Sequence, residues 1–184
     1  MDRRLTIELN YWTGKGDGRI GRTIVAHPSV FFVRNVGRIV HFMIFPSYSP
    51  RIVTIELHLS EKYPFEVPRV YINHNRHYKD ILCGLQTRMP PSAVIHPEER
   101  CLCCSYSILS KGLTGPNLWG PTLNTIYIMN EIVETMLMLY EYRLSRLLSS
   151  LYRQKLKGSV YVPIDTFLIS NTRVLKHFQM KFYV

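Results

Sequence analysis

Residues 51–59 read Arg-Ile-Val-Thr-Ile-Glu-Leu-His-Leu, and apolar side chains alternate with polar ones through the stretch. A period of two predicts a β-strand with one face on the core and the other in solvent. Two more β-rich stretches precede it, at 23–33 and 38–45, and a short one follows at 69–72. Pro46 and Pro50 favour a turn before residue 51, since proline cannot donate to a strand ladder. The order predicts a four-stranded antiparallel meander.

Helical patterns flank these strands. Leu5, Leu9 and Trp12 lie among charged residues and predict a short first helix, which glycines at 14, 16 and 18 would end. From Met129 to Leu151, apolar residues recur every three or four positions, as in a long helix. Lys157 and Gly158 would close that helix, and a further one is expected near 167–181. Helix, sheet and C-terminal helices together predict an α+β fold.

The composition suits one globular domain. The chain has 184 residues, of which 46% are hydrophobic and 20% charged, so fibrous and disordered classes are excluded. No window offers the roughly 18 apolar residues of a membrane-spanning helix, and no membrane partner is expected. The first twelve residues lack the apolar stretch of a secretory signal. We therefore expect a cytoplasmic or nuclear protein with reduced cysteines.

Charge is uneven along the chain. Lysine and arginine number 23 against 13 acidic residues, for a net charge of +10, and residues 141–184 hold eight basic residues against two acidic ones. Such an excess suits an acidic protein partner, a nucleic acid or an anionic surface. Nucleic acid is disfavoured here, because the strands carry mostly aliphatic residues instead of aromatics interleaved with arginines.

Four short motifs occur in a characteristic order. They are Tyr63-Pro64-Phe65 with Pro68, His96-Pro97, Cys101-Leu102-Cys103-Cys104 running to Ile108-Leu109, and Trp119-Gly120-Pro121 ahead of the long helix. In motif and order, residues 1–151 resemble the ubiquitin-conjugating enzymes, whose pattern runs YPFxxP, HPN, ICLxIL and WxP. The resemblance implies a UBC-like fold over residues 1–157, with an insertion at about 74–95. Residues 158–184 would then be a C-terminal extension.

The resemblance also implies an activity. A family member accepts ubiquitin or a related modifier from the activating enzyme as a cysteine thioester, and a lysine amine then attacks that thioester. No cofactor is implied. Arg3 and Arg4 correspond in position to the contact with the activating enzyme, while Phe65, Trp119 and Pro121 correspond to the surface that docks a ubiquitin ligase. Alternatively, Phe65 and Trp119 anchor the core, and the arginines are ordinary surface charges.

The nucleophile depends on how the motif is aligned. Matching the hydrophobic-cysteine step selects Cys103, which we take as the nucleophile, and matching Cys-Leu directly selects Cys101. A gapless alignment from Ile108-Leu109 places Ser105 there, with Cys104 beside it, and would imply an inactive protein, since a serine oxyester is a poor relay. Any one of these cysteines could instead be a small buried hydrophobe.

The sequence departs from the family in the residue after His-Pro and in the insertion at about 74–95. His96 would shape the turn, but the asparagine that follows His-Pro in the family is replaced here by Glu98, which would repel an oxyanion or accept a proton from the lysine. Asn117 and Asn124 are amides that could substitute for it. These departures favour a rival hypothesis, a noncatalytic variant that acts as an adaptor or as a structural subunit of a larger assembly. A viral origin is as compatible as a cellular one, with association with the virion as the alternative localisation.

Zinc is the remaining alternative for the cysteines. Ligand types cluster in the middle of the chain, at Cys83, Cys101, Cys103, Cys104, His74, His77 and His96. Structural zinc sites normally use two separated pairs of ligands, such as two C-x2-C hooks. Only C-x-C-C and one His-x2-His pair are available, so the sequence does not predict a metal site.

Overall fold

The computed structural model describes residues 3–15, 25–86, 107–109, 119–156 and 172. Its elements in chain order are α1 (Arg3–Trp12), β1 (Val30–Val36), β2 (Ile39–Ile44), β3 (Val53–His58), β4 (Arg69–Ile72), β5 (Arg76–His77), α2 (Tyr78–Gln86) and α3 (Thr125–Leu156). The α+β class, the N-terminal helix, the antiparallel sheet and the C-terminal helix are confirmed.

The strands form one antiparallel sheet in the order β1-β2-β3-β4-β5. The alternation predicted for β3 is confirmed, because Val53, Ile55 and Leu57 are buried while the residues between them are partly exposed. The core lies between this inner face and the helices, and α3 contributes Ile128 and Ile132, both with 0% exposure. The opposite face of the sheet, called the outer face below, does not contribute to this core.

The first strand begins later than predicted. β1 starts at Val30, not at residue 23. Upstream, the backbone N–H of His27 donates to Asn130 Oδ1 at 2.9 Å, and the Val25 carbonyl accepts from Asn130 Nδ2 at 3.0 Å. A side chain of α3 thus satisfies backbone groups that a strand would pair, and strand propensity alone cannot reveal such a partner.

The sheet has five strands instead of the four predicted, and the extra strand lies in the region assigned to an insertion. Asn73 and His74 adopt positive φ angles of 51° and 71° and reverse the chain, so that β5 pairs with β4. The helix α2 follows at once, and its Tyr78 and Leu82 join the core with 1% and 5% exposure. Residues 74–86 therefore belong to the folded unit, and residues 87–95 lie outside the described part.

The long helix begins four residues before the predicted start. Asn124 caps it, since its Oδ1 accepts from the backbone N–H of Ile126 at 2.9 Å and of Tyr127 at 3.3 Å. The cap engages the Oδ1 atom of Asn124, and the residue is buried at the start of the helix with 4% exposure. The helix runs to Leu156. The predicted closing residues, the helix near 167–181 (apart from residue 172) and the extension from 158 lie outside the described residues, so the boundary at 157 stays a prediction.

One buried carboxylate joins three parts of the fold. Glu8 is 1% exposed on α1. It accepts hydrogen bonds from Arg4 Nε at 2.7 Å, from the Tyr63 hydroxyl at 2.8 Å to each oxygen, and from the backbone N–H of Thr125 at 3.0 Å. Burial, with the neighbouring carboxylate, raises the pKa of the Tyr63 phenol. Glu8 thus ties α1 to residues 60–68, called the proline loop below, and to the first turn of α3.

None of the helices in the described ranges combines the length and the apolar character that crossing a bilayer requires.

Replacing Glu8 tests this connection. We expect Glu8→Ala to lower the free energy of unfolding by about 2–4 kcal/mol, because it leaves the buried Tyr63 hydroxyl and Thr125 N–H without their acceptor. Tyr63→Phe removes one donor and keeps the ring, so it should cost about 1 kcal/mol. Urea denaturation followed by circular dichroism measures both. The exposed Glu61→Ala is the control, and an equal loss there would contradict the role of Glu8.

Candidate functional site

The predicted site residues divide into two groups. Those of the proposed chemistry, Cys101, Cys103, Cys104, His96, Glu98 and Asn117, lie outside the described residues. Those predicted to bind partners, Arg3, Arg4, Phe65, Trp119 and Pro121, are all described. The candidate site is therefore built from the partner surface and from Ser107–Leu109, which follows the cysteines by three residues.

The proline loop lies against residues 119–123, called the tryptophan loop below. The Trp119 indole Nε1–H donates to the Pro64 carbonyl at 2.7 Å, and the Trp119 ring lies 6.1 Å from the ring of Tyr63. Trp119 is half-buried and packs on the core, whereas Pro121 is exposed. The peptide bond between Tyr63 and Pro64 is cis. Two motifs 55 residues apart in sequence thus form one continuous surface.

Phe65 projects from this surface. Its side chain is 76% exposed, so the alternative that it anchors the core is wrong. The loop that carries it is nevertheless ordered by backbone hydrogen bonds, from Phe65 N–H to the Lys62 carbonyl at 2.7 Å and from Tyr63 N–H to the Ser60 carbonyl at 3.2 Å. Single exposed apolar residues are common on folded proteins, so Phe65 becomes a candidate binding residue through its place on the surface that the two loops form, and not through exposure alone.

The two arginines of α1 have different environments. Arg3 is exposed, as a partner-binding residue would be. Arg4 is bound within the fold, because its Nε donates to Glu8 and its guanidinium lies 3.4 Å from the Leu123 carbonyl. Through Glu8, Tyr63 and Leu123, the start of α1 is connected to both loops.

A second carboxylate holds the segment that follows the cysteines. Glu131 of α3 accepts from the Ser107 hydroxyl at 2.6 Å, from the Ile108 N–H at 2.8 Å and from the Tyr78 hydroxyl at 3.1 Å. Tyr78 also bonds Thr135 Oγ1 at 2.7 Å. Burial is the largest influence and raises the pKa of Glu131, against the opposing effect of these hydrogen bonds. The chain leaving the cysteine region is thus fixed to the core at Ser107, which is 2% exposed.

The hydrogen bonds from Ser107 and Ile108 to Glu131 are called the Glu131 clamp below, and residues 107–109 the clamped segment. A pocket of about 270 Å³ lies beside this clamp. Its described apolar walls are Val67, Pro68, Leu82 and Leu109, from the proline loop, α2 and the clamped segment. Arg69 and Lys79 also line it, and both are exposed to solvent. The geometry suits an apolar group that carries a negative charge, in the immediate neighbourhood of Ser107.

Sequence reasoning missed Glu8 and Glu131. Each had a signal, since each is a charged residue three positions after an apolar residue that faces the core: Glu8 follows Leu5, and Glu131 follows Ile128. A charge at such a position is buried only when it is paired or hydrogen-bonded. The partners themselves, up to 117 residues away, could not be read from the pattern.

Within the described ranges, no group of three or more His, Cys, Asp or Glu side chains is arranged to hold a metal ion. Of the residues in the zinc alternative, His74 and His77 contact Glu56 and the ring of Tyr71, and Cys83 lies in α2.

No protein-family model matches this chain, and no similar protein was found among curated proteins or solved structures. The family resemblance remains an interpretation of the four motifs and their order.

The Glu131 clamp can be tested by substitution. Glu131→Ala leaves the Ser107 hydroxyl and Ile108 N–H without an acceptor, so we expect the free energy of unfolding to fall by about 1–3 kcal/mol. Glu134→Ala, an exposed carboxylate almost one turn along the same helix, should change it by less than about 0.5 kcal/mol. Chemical denaturation measures both, and equal losses would contradict the clamp.

Proposed function

We propose that this protein is a ubiquitin-conjugating-type carrier with a UBC-like fold, which holds ubiquitin or a related modifier as a thioester on Cys103. The observation that carries the proposal is the joining of the proline loop and the tryptophan loop into one surface, with Phe65 exposed at 76% on it. These loops are two of the four motifs on which the resemblance rests. Their association in space agrees with the role that the resemblance gives them.

The clamp at Ser107 supports the same proposal. A thioester carrier needs its nucleophile at a fixed position beside the fold, because the acyl group is already activated and catalysis consists mainly of orientation. Glu131 fixes the chain four residues after Cys103. A short tether from a buried anchor restricts where that thiol can lie, and Cys101 and Cys104 share the restriction.

The chemistry would proceed in two transfers. The cysteine thiolate attacks the carbonyl carbon of the thioester that joins the modifier to the activating enzyme. The cysteine of the activating enzyme then leaves as a thiolate. A substrate lysine amine then attacks the new thioester, releases the cysteine thiolate and gives up a proton as the amide bond forms. His96 would shape the turn before the thiol, and Glu98 would receive that proton. A ubiquitin ligase would dock on Phe65 and Pro121, and the activating enzyme on Arg3.

The second candidate function is a noncatalytic adaptor or a structural subunit of a larger assembly. It is favoured by apolar side chains left exposed on β1 and just after β2. Phe31 and Val36 are 50% and 56% exposed, and Phe31 contacts the 43% exposed Phe45 edge-to-face at 5.1 Å between ring centroids. Exposed apolar groups that touch one another mark a surface for association with another protein.

Loading with the modifier tests the carrier directly. The protein is incubated with activating enzyme, ATP and ubiquitin, or in turn with related modifiers, and run on a gel with and without reductant. We expect a slower-migrating band, larger than the free protein by the mass of one modifier, that disappears with reductant. Cys103→Ser should abolish this band, and Cys101→Ser and Cys104→Ser should retain it. If the band is lost in Cys101→Ser or Cys104→Ser instead, the nucleophile is assigned to that cysteine. No shift with any modifier would refute the carrier and favour the adaptor.

Phe65 is expected to act in partner binding and not in folding. Phe65→Ala should change the free energy of unfolding by less than about 0.5 kcal/mol, because the ring is mostly in water. It should leave cysteine loading intact and slow ligase-dependent transfer to lysine at least about tenfold, as the loss of a buried aromatic anchor does. Phe31→Ala, an exposed aromatic on β1, is the matched control. Equal slowing in both variants would contradict a specific docking role for Phe65.

A further inference from the structure

The outer face of the sheet differs in composition from the face on the core. The aliphatic residues that disfavoured a nucleic acid in the sequence lie largely on the core face, as do Val40, Ile55 and Val70, each with at most 1% exposure. Residues directly opposite one another in paired strands share a face. From β1 to β5, one outer row reads Arg34, His41, Glu56, Tyr71 and His77. The row beside it reads Val36, Ile39, His58 and Arg69. Rings thus lie among arginines on this face.

Three of these rings contact one another. The centroids of the His58 and Tyr71 rings are 4.7 Å apart, with an interplanar angle of 53°. The centroids of the Tyr71 and His77 rings are 5.3 Å apart, with an angle of 87°. All three side chains are half-buried, so they are held by neighbours and still reached by solvent. They are called the ring platform below. Nucleic acid bases stack on such rings whatever the sequence, because every base has a π face.

Cations border the ring platform. Arg69 lies directly opposite His58 on the neighbouring strand. Arg69 and His77 line the same pocket as Lys79, which places this lysine beside the β5 end of the platform. Arg34 begins the row at β1. All three cationic side chains are exposed, and the ion pairs within the described ranges do not involve them. Their charges can therefore meet the phosphates of a bound strand.

Glu56 is the one carboxylate in the two rows, and it is largely covered. Its side chain is 16% exposed. His74 Nδ1 lies 2.7 Å from its Oε1, and His58 Nε2 lies 3.3 Å from its Oε2. The carboxylate is thus directed at imidazoles of its own fold. Three exposed cations against one covered carboxylate leave the surface positive even when every histidine is neutral.

We propose that the outer face of the sheet binds single-stranded nucleic acid, with bases stacked on the ring platform and phosphates paired with Arg34, Arg69 and Lys79. The inference does not depend on the proposed carrier function. The row extends for about 19 Å, because neighbouring strands lie about 4.8 Å apart, and this length accommodates a short run of nucleotides. The net charge of +10 on the chain favours the approach of a polyanion.

A single strand fits this face better than its two rivals. Bases in a duplex already stack on one another, whereas unpaired bases can turn onto aromatic side chains. An acidic peptide would pair with the arginines equally well, but its carboxylates would leave the rings without a partner. The ring platform therefore separates the proposal from attraction between opposite charges alone.

Fluorescence anisotropy measures the binding. The full chain is titrated at pH 7 into a labelled oligonucleotide of mixed sequence, about 12 nucleotides long, at about 50 and 200 mM salt. The probe is prepared as single-stranded RNA, as single-stranded DNA and as the DNA duplex. The variants are Tyr71→Ala, Tyr71→Phe, Arg69→Gln and Lys15→Gln. Lys15, exposed after α1, is the matched control for the loss of one charge. Far-UV circular dichroism reports that each variant is folded.

We expect Tyr71→Ala to weaken single-strand binding about tenfold, as the loss of one stacking ring does, and Tyr71→Phe to change it by less than about twofold. Arg69→Gln should weaken binding and make the slope of log affinity against log salt shallower by about 0.7, the share of one phosphate contact on a single strand. Lys15→Gln should keep the wild-type slope. Binding of either single strand supports the proposal, and the tighter of the two identifies the source as RNA or DNA.

Absence of binding to both single strands would overturn the proposal, as would equal slopes in Arg69→Gln and Lys15→Gln. Wild-type affinity in Tyr71→Ala would also overturn it, because the strand would then be held by charge alone, for which the basic residues after 141 suffice. A tenfold loss for the duplex as well would contradict stacking of unpaired bases. Displacement of the probe by polyglutamate at equal charge would assign the face to an acidic protein instead. If Tyr71→Ala does not fold, the salt slope of Arg69→Gln decides the question.

Discussion

The bond network of Glu8 is the interaction on which the arrangement of this domain depends. Its two carboxylate oxygens meet donors from Arg4 on its own helix, from Tyr63 in the proline loop and from the backbone of Thr125 at the start of α3. These three parts do not share a strand ladder, so no backbone hydrogen-bond pattern fixes their relative positions. A carboxylate with 1% exposure does so, and its donors compensate for the loss of water.

Glu131 repeats this solution at the other junction of the fold. It joins α3 to Tyr78 of α2 and to the segment at Ser107, elements that also lack a ladder between them. Thr125, whose N–H bonds Glu8, and Glu131 lie less than two turns apart along α3. Apolar packing of Ile128 and Ile132 supplies the driving force for burial, but it is not directional. The directional hydrogen bonds of Glu8 and Glu131, at the two borders of this apolar core, fix the positions of the proline loop and of the clamped segment.

Much of the fold was predictable, because it depends on periodicity. Val53, Ile55 and Leu57 face the core as their alternation requires, and α1 and α3 follow the spacing of their apolar residues. The start of β1 was not predictable, because the Asn130 side chain of α3 bonds the backbone groups of Val25 and His27 that a strand would pair. β5 and α2 were missed because a turn through Asn73 and His74 leaves no glycine or proline signal. At the site, the sequence located the two loops, but whether Phe65 lay inside or outside depended on contacts between distant segments.

The hydrogen bond from the Trp119 indole to the Pro64 carbonyl holds the proline loop against the tryptophan loop without any partner present. A partner that covers Phe65 meets a loop whose backbone is already tied to Lys62, to Ser60 and to a half-buried tryptophan. Little conformational entropy is lost on association at such a preorganised surface, so affinity can arise from a small contact area. Such a preorganised surface would favour a partner whose shape already fits it.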